Sequence, residues 1–303
     1  MVREPRFYQL RPNRLAYTTL FLSILFSLLT LSTTVRSQSQ NSVFSLTDSL
    51  TSYLNLSPPE ARISLSTRSL VDTTLSFAHR ATVRIPSASV IKLPIMLELM
   101  ERVEAGTIKL DAIHSLTEAE KVGGDGVLKT YPDKSRVSYR ELLRLMLIKS
   151  DNTATNILIH LLGRDAVNQR IRKLGLERSQ LNRVMMDTLA ARQGRENYVT
   201  AQEMNTLLEK VYRYQVATPE RCEEMLAILK QNEDTLTIPR LLPKRVVIAH
   251  KTGTLAYVRG DVGIVYTQKP FLLAVFVEGV PTPEAERIIS EVAMICYTYF
   301  SRL

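Results

Sequence analysis

Tryptophan is absent from this chain, and cysteine, histidine and glycine are scarce, at two, four and eleven residues among 303. Cys222 and Cys296 lie far apart, so they form neither a disulfide framework nor a metal-binding spacing. Two readings of them stay open: buried thiols on helices, or one disulfide in an oxidising compartment. His79, His114, His160 and His250 are scattered without a spacing such as H-E-x-x-H, so no metal site is expected. There is no block of like charge and no basic–aromatic stripe, so nucleic acid is not an expected partner. Low-complexity linkers and internal repeats are lacking too. With 45% hydrophobic and 23% charged residues, the chain reads as globular, large enough for one big core or two intimate subdomains.

The first residues have the composition of a targeting segment. Arg3, Arg6, Arg11 and Arg14 precede the apolar run "LAYTTLFLSILFSLLTLS", and "VRS" before "QSQN" resembles a cleavage site. Residues 1–37 are therefore expected to be a signal peptide, with an uncleaved anchor as the alternative, since a span needs roughly 17–25 residues. That segment carries five arginines and one glutamate, leaving the remainder at 34 basic against 29 acidic residues. The mild positive excess suits anionic substrates or envelope polymers, and equally serves solubility.

Residues 38–303 read as one catalytic domain of the α+β class. "SVFSLTDSLTSYL" is amphipathic and helical in pattern, whereas "ARISLSTRS" and "TTLSFAHRATVRI" alternate as a hairpin would. A helical block runs from about residue 88 to 240. "VVIAHKTGT", "DVGIVYT" and "FLLAVFVEGV" then read as strands and "PEAERIISEVAMICYTYFSRL" as a closing helix. This order predicts an antiparallel sheet built from both chain ends (about 38–86 and 241–303), packed with helices, plus an all-helical subdomain (about 87–240). A cleft is expected where they meet.

Three short stretches carry candidate chemistry. In "IPSASVIKLPIMLELM", Lys92 follows Ser89 by three residues inside an apolar helix that begins near Ser89, keeps Pro94 in its first turn and ends at Gly106. A serine at a helix start usually caps it and a lysine usually snorkels. A desolvated lysine beside a serine is, alternatively, the base that a nucleophile needs. In "SYRELLRLMLIKSDNTATNILIHLLG", Ser138 and Glu141 form a capping-box pattern, and Asp151 or Asn152 caps a second helix closed near Gly163. The functional reading points Ser150 and Asn152 into the cleft. In "AHKTGTL", Lys251 and Thr252 place a cation and a hydroxyl on a sheet edge, and Gly253 clears room for a substrate backbone. The amides of Thr254 and Ser89 form a candidate oxyanion hole.

Each stretch alone is ordinary. Together and in order, S-x-x-K, S-D-N and K-T-G are the set found in class A β-lactamases and penicillin-binding proteins. The chain resembles a serine β-lactamase-like protein of the penicillin-recognising superfamily over essentially everything after the leader. The resemblance implies Ser89 as nucleophile, Lys92 as base or relay, and Ser150 as proton shuttle to the leaving nitrogen. Asn152 would hold the substrate's side-chain amide, and Lys251 and Thr252 its carboxylate, with Arg259 either a further carboxylate partner or a solvated turn arginine. It implies a β-lactam or D-Ala-D-Ala-type small substrate, no cofactor, no obligate protein partner, a monomer, and export to the periplasm or the outside.

The departure lies in "LERSQLNRVMMDTLAARQGRENYVT". Class A enzymes carry E-x-x-L-N here, and that glutamate activates the deacylating water. Leu181–Asn182 match its end, but Arg178 stands where the glutamate belongs and Glu177 is one residue early. Glu177 is the candidate base if the loop is remodelled, and Arg195–Glu196 the candidate closing ion pair. Expected function is thus β-lactam hydrolysis through a Ser89 acyl-enzyme. The alternative is a D,D-peptidase-like cell-wall enzyme or a covalent penicillin sensor with slow release.

Overall fold

Within Phe271–Glu278, the residues Phe271, Leu273, Val275 and Val277 join one core, and Leu272, Ala274 and Phe276 join another. A strand whose two faces are both buried lies between two layers, because successive side chains point to opposite sides. In the computed structural model, which describes residues 45–302, this segment is the middle of a five-stranded antiparallel sheet. The expected leader, residues 1–37, lies outside the described residues.

In chain order, α1 (Leu46–Leu56) precedes β1 (Arg62–Ser69), β2 (Ser76–His79) and β3 (Ile85–Pro86). A 3-10 turn (Ala88–Ile91) leads into α2 (Lys92–Glu104), followed by β4 (Ile113–Ser115), β5 (Arg136–Ser138), α3 (Tyr139–Ile148), α4 (Asn152–Leu162) and α5 (Arg164–Lys173). Next come α6 (Thr188–Arg192), β6 (Tyr198–Val199), α7 (Ala201–Tyr212) and α8 (Pro219–Leu229). The chain closes with β7 (Val247–Leu255), β8 (Val258–Tyr266), β9 (Phe271–Glu278) and α9 (Thr282–Phe300).

The sheet order is β2-β1-β9-β8-β7, so the first and last thirds of the described chain share one sheet, as the sequence pattern predicts. On one face α1 and α9 close a core with Ile63, Leu65, Ile288, Ile289 and Val292, and Phe271 stacks on Phe300 at 4.6 Å. On the other face the larger core joins Val262, Ala274 and Phe276 to the apolar sides of α2, α3, α4, α7 and α8. The middle block is not wholly helical: β3 pairs with β6 and β4 with β5. The Ser138 cap is also half of the expected box. Its hydroxyl accepts from the Glu141 amide at 3.2 Å, while the Glu141 carboxylate turns to Arg144 instead. Cys222 and Cys296 are both buried free thiols, on α8 and α9 in different cores. No described helix is long and apolar enough to cross a membrane.

Candidate active site

Ser89 sits in the 3-10 turn, not in the α-helix, and that is what aligns it. A 3-10 turn has three residues per turn, so side chains at i and i+3 eclipse. Lys92, the first residue of α2, therefore lies directly over Ser89, with its Nζ 2.9 Å from the hydroxyl. Ser89 does not cap the helix, and neither does Ser87. Ala88 holds φ at +46°, a left-handed conformation that costs a non-glycine residue on the order of 1–3 kcal/mol.

The explanation of Gly253 changes here. A Cβ at this position would lie 2.9 Å from the Ala88 Cβ, 3.0 Å from the Ser87 carbonyl and 3.1 Å from the Ser89 amide nitrogen. The missing side chain thus admits the backbone of the nucleophile turn itself, not only that of a substrate. It also brings edge strand β7, with Thr254, alongside the Ser89 amide, which suits paired oxyanion donors.

The S-D-N segment supplies the third wall. Ser150 also holds a left-handed φ, +54°, and its carbonyl and hydroxyl both face Lys92, at 2.6 and 3.0 Å. Asp151 caps α4 by accepting from the Ala154 amide, and its other oxygen accepts from the amides of Val127 and Leu128. Asn152 accepts from Lys92 at 3.1 Å and donates to the Gly123 carbonyl. The loop 122–128 is thereby fastened to the S-D-N segment. Lys251 reaches Ser150 Oγ at 3.2 Å and the Thr252 carbonyl at 2.9 Å.

Both lysines are fully buried. Burial holds Lys92 well below the usual lysine range, and the nearby Lys251 cation lowers it further. Lys251 is itself lowered to about 8, by burial first, with Asp261, Asp234 and Asp125 opposing the shift. A neutral Lys92 has two N–H donors and one lone pair. The Ser150 carbonyl and Asn152 Oδ1, which only accept, match the two donors, leaving the lone pair to a hydroxyl, Ser89 at 2.9 Å or Ser150 at 3.0 Å.

Two cavities meet at Ser89. One, ≈ 360 Å³, is bordered by Ser150, Lys251, Thr252, Gly253 and Thr254. The other, ≈ 660 Å³, is bordered by Asn152, Met185, Met186 and residues 254–257. Every residue of the three motifs named for binding or chemistry is brought to this junction. Arg259 comes close but is not open to a ligand. It is buried on β8 opposite Thr254, donates to the Thr254 hydroxyl at 2.9 Å, and is paired with Asp234 at 2.6 Å and Glu286 at 3.1 Å.

Glu177 is not brought to the site. It is exposed in the turn after α5 and borders neither cavity. That turn is tied elsewhere: the Arg178 amide and the Ser179 hydroxyl both donate to Glu203. Asn182, the last residue of the L-N match, closes the neck of the loop through Asn197 and the Glu196 carbonyl. The closing ion pair is Arg183–Glu196, buried and bidentate at 2.9 and 3.0 Å, while Arg195 turns to Gln193.

Sequence reasoning missed Met185, which borders the larger cavity from this loop. Its amide donates to Asn156 Oδ1 at 2.7 Å and its carbonyl accepts from Asn156 Nδ2 at 3.1 Å. Asn156 lies four residues after Asn152 on α4, a spacing that puts both amides on one helical face and was visible in the sequence. Asp125 and Arg192, also on the cavity walls, had no sequence signal. Among the described residues no group of histidine, cysteine or acidic side chains could hold a metal.

The sheet built from both chain ends, with a serine, two buried lysines and an S-D-N turn at its edge, defines the β-lactamase and penicillin-binding superfamily. The chain belongs to the beta-lactamase enzyme family, whose pattern matches residues 45–300. It is similar to the extended-spectrum beta-lactamase PER-1 of Pseudomonas aeruginosa, 27% identical over 236 residues, covering 71% of this chain and 75% of the relative. Among solved structures it resembles a beta-lactamase from Sphaerobacter thermophilus (28% identity, TM-score 0.75, 80% of this chain and 93% of the other). It also resembles PBP-A (25% identity, TM-score 0.78, 87% and 97%), a mutant of which was solved as an acyl-enzyme complex with penicillin G.

Proposed function

We propose that this protein is an exported, monomeric serine acyl-transfer enzyme. Ser89 opens a β-lactam or a D-Ala-D-Ala-type amide, and the acyl group is released slowly, in the manner of a D,D-peptidase. In acylation the Ser89 hydroxyl proton passes to Lys92 Nζ as its oxygen attacks the carbonyl carbon. Ser150, shared by both lysines, hands a proton to the leaving nitrogen as the C–N bond breaks, and is reprotonated from Lys92. The amides of Ser89 and Thr254 receive the oxyanion, Lys251 and Thr252 take the substrate carboxylate, and Asn152 takes the side-chain amide.

One observation carries the slow release: among the described residues no carboxylate is hydrogen-bonded to Ser89, Lys92 or Ser150. Glu196 faces the cavity but is saturated by Arg183 and the Asn197 amide, and Met185 offers no proton acceptor. The second reading, sustained β-lactam hydrolysis, is favoured by relatives named beta-lactamases.

Intact-mass measurement of residues 38–303 after mixing with benzylpenicillin separates them. The expected result is one adduct, mapped to Ser89 and persisting for many minutes. Rapid turnover with no adduct would establish the hydrolase instead.

A further inference from the structure

Behind Lys251, on the α9 face of the sheet, a single carboxylate joins two parts of the site. Asp261 lies on β8 opposite Thr252, is fully buried, and borders neither cavity. Three donors converge on it: the Thr237 hydroxyl at 2.6 Å, the Ile238 amide at 3.1 Å, and His250 Nδ1 at 3.0 Å from both oxygens. An ionised carboxylate only accepts, so His250 Nδ1 carries the proton of that contact. His250 comes this close because Gly263 stands opposite it, where a Cβ would lie 2.7 Å from the His250 Cβ.

His250 immediately precedes Lys251, and alternation along β7 turns the two side chains to opposite faces. Thr237 and Ile238 end a segment whose earlier residues, Asn232, Glu233 and Asp234, border the smaller cavity. The start of that segment is fastened beside Ser150: Asn232 donates to the Leu147 carbonyl at 3.1 Å, and Glu233 pairs with Lys149. Its end enters the core under α9 through Ile238 and Leu242. Asp261 is thus the point where this wall of the smaller cavity meets the strand that carries Lys251.

The same carboxylate acts on Lys251 by its charge. Among the groups that keep Lys251 a cation against burial it stands first, ahead of Asp234 and Asp125, while Arg259 acts the other way. Lys92 is the neighbouring cation on the cleft side. Asp234 is paired with Arg259 at 2.6 Å, and Asp125 borders both cavities, where a bound substrate changes its surroundings. Asp261 meets His250 from β7 and Thr237 and Ile238 from the wall segment; Val275 stands opposite it on β9, and Glu286 of α9 is held by Arg259.

We propose that Asp261 is a positioning residue for acylation: it braces the strand of Lys251 against the 232–238 segment, and its buried charge sets the pH range over which Lys251 holds a substrate carboxylate. Its role rests on the acyl-enzyme reading above, in which Lys251 takes that carboxylate.

Benzylpenicillin and its methyl ester provide the test, because only the acid calls on the Lys251 cation. Acylation rates of Ser89 by both are read by intact mass on either side of the Lys251 titration, and the acid-to-ester ratio separates Lys251 from other titrating groups. In the wild-type chain the ratio should fall as pH rises through about 8. Asp261→Asn keeps the shape and an acceptor for Thr237 and Ile238 but removes the charge. Its midpoint should move down by about one pH unit, the lower end for an opposite charge beside a titrating group, with the low-pH ratio unchanged. Asp261→Ala loses the brace as well and should also lower the ratio at low pH. Thr237→Val leaves the carboxylate charged with one donor fewer, so its midpoint should move up, which keeps the test open where Asp261→Asn does not fold. A midpoint that fails to move down in Asp261→Asn, or to move at all in Thr237→Val, would overturn this role and leave the Ser89 chemistry standing. A wild-type ratio that is flat with pH would remove the carboxylate role of Lys251, and that of Asp261 with it. No Ser89 adduct from either compound would overturn the acyl-enzyme reading itself.

Discussion

The two sides of Ser89 are built to different standards. On the side of Lys92, Ser150 and Lys251, the two lysines are tied to Ser89, Ser150 and Asn152 by hydrogen bonds of 2.6–3.2 Å, and two residues, Ala88 and Ser150, hold left-handed backbone beside them. On the side of the loop 181–200, the buried polar groups pair within the loop and with α4. Arg183 locks Glu196, Asn156 clamps the Met185 backbone, and Asn182 ties down the neck. The first side holds the groups assigned to acylation in the proposed function. The second is tied down by its own hydrogen bonds and lines the cavity with Met185 and Met186, which supply no base for the proposed deacylation.

Substitutions test this contrast in order of expected effect. Ser89→Ala should abolish adduct formation altogether, as read by mass. Lys92→Met should slow acylation by roughly 10³–10⁴-fold, the upper part of the range for a general base. Glu196→Ala strands a buried guanidinium. It should cost about 3 kcal/mol, seen as a lowered denaturant midpoint, because removing one partner of a buried pair leaves an uncompensated charge. Met185→Glu puts a carboxylate on a backbone already held by Asn156. It should speed release of a bound penicillin by roughly 10²-fold, the lower end of general-base contributions, with acylation little changed.

The mildest test is pH. In its proposed role Lys251 binds the substrate carboxylate as a cation, and its proton is lost as pH rises through about 8. Acylation by carboxylate-bearing β-lactams should therefore hold below that point and fall by about tenfold per pH unit well above it. Lys251→Arg keeps its charge far beyond that range and should erase the alkaline limb. A limb unchanged in that variant would mean another group titrates there.

The acylating side was legible in the sequence and the other side was not, for physical reasons. Ser89–Lys92, Ser150–Asn152 and Lys251–Gly253 are local spacings fixed by one turn of backbone each, and the sheet strands announce themselves by alternation. Met185 reaches the cavity because Asn156, 29 positions away, sets the register of its loop. The local match at Leu181–Asn182 misled because both residues serve the neck: the Leu181 backbone bonds to Asn168 and Asn182 to Asn197. Arg259 reads in the sequence as a carboxylate partner of the substrate or a turn arginine, whereas its two carboxylate partners, Asp234 and Glu286, come from segments no spacing connects to it. Gly253 was noticed for a reason that proved only partial. Its immediate neighbour is the nucleophile's own backbone.

Mixing the enzyme with an excess of a chromogenic cephalosporin tests the central claim most directly. The expected trace is a rapid burst of one chromophore per Ser89, then a steady phase slower by orders of magnitude that Met185→Glu accelerates. A linear trace at the burst rate, with no adduct on Ser89, would contradict it.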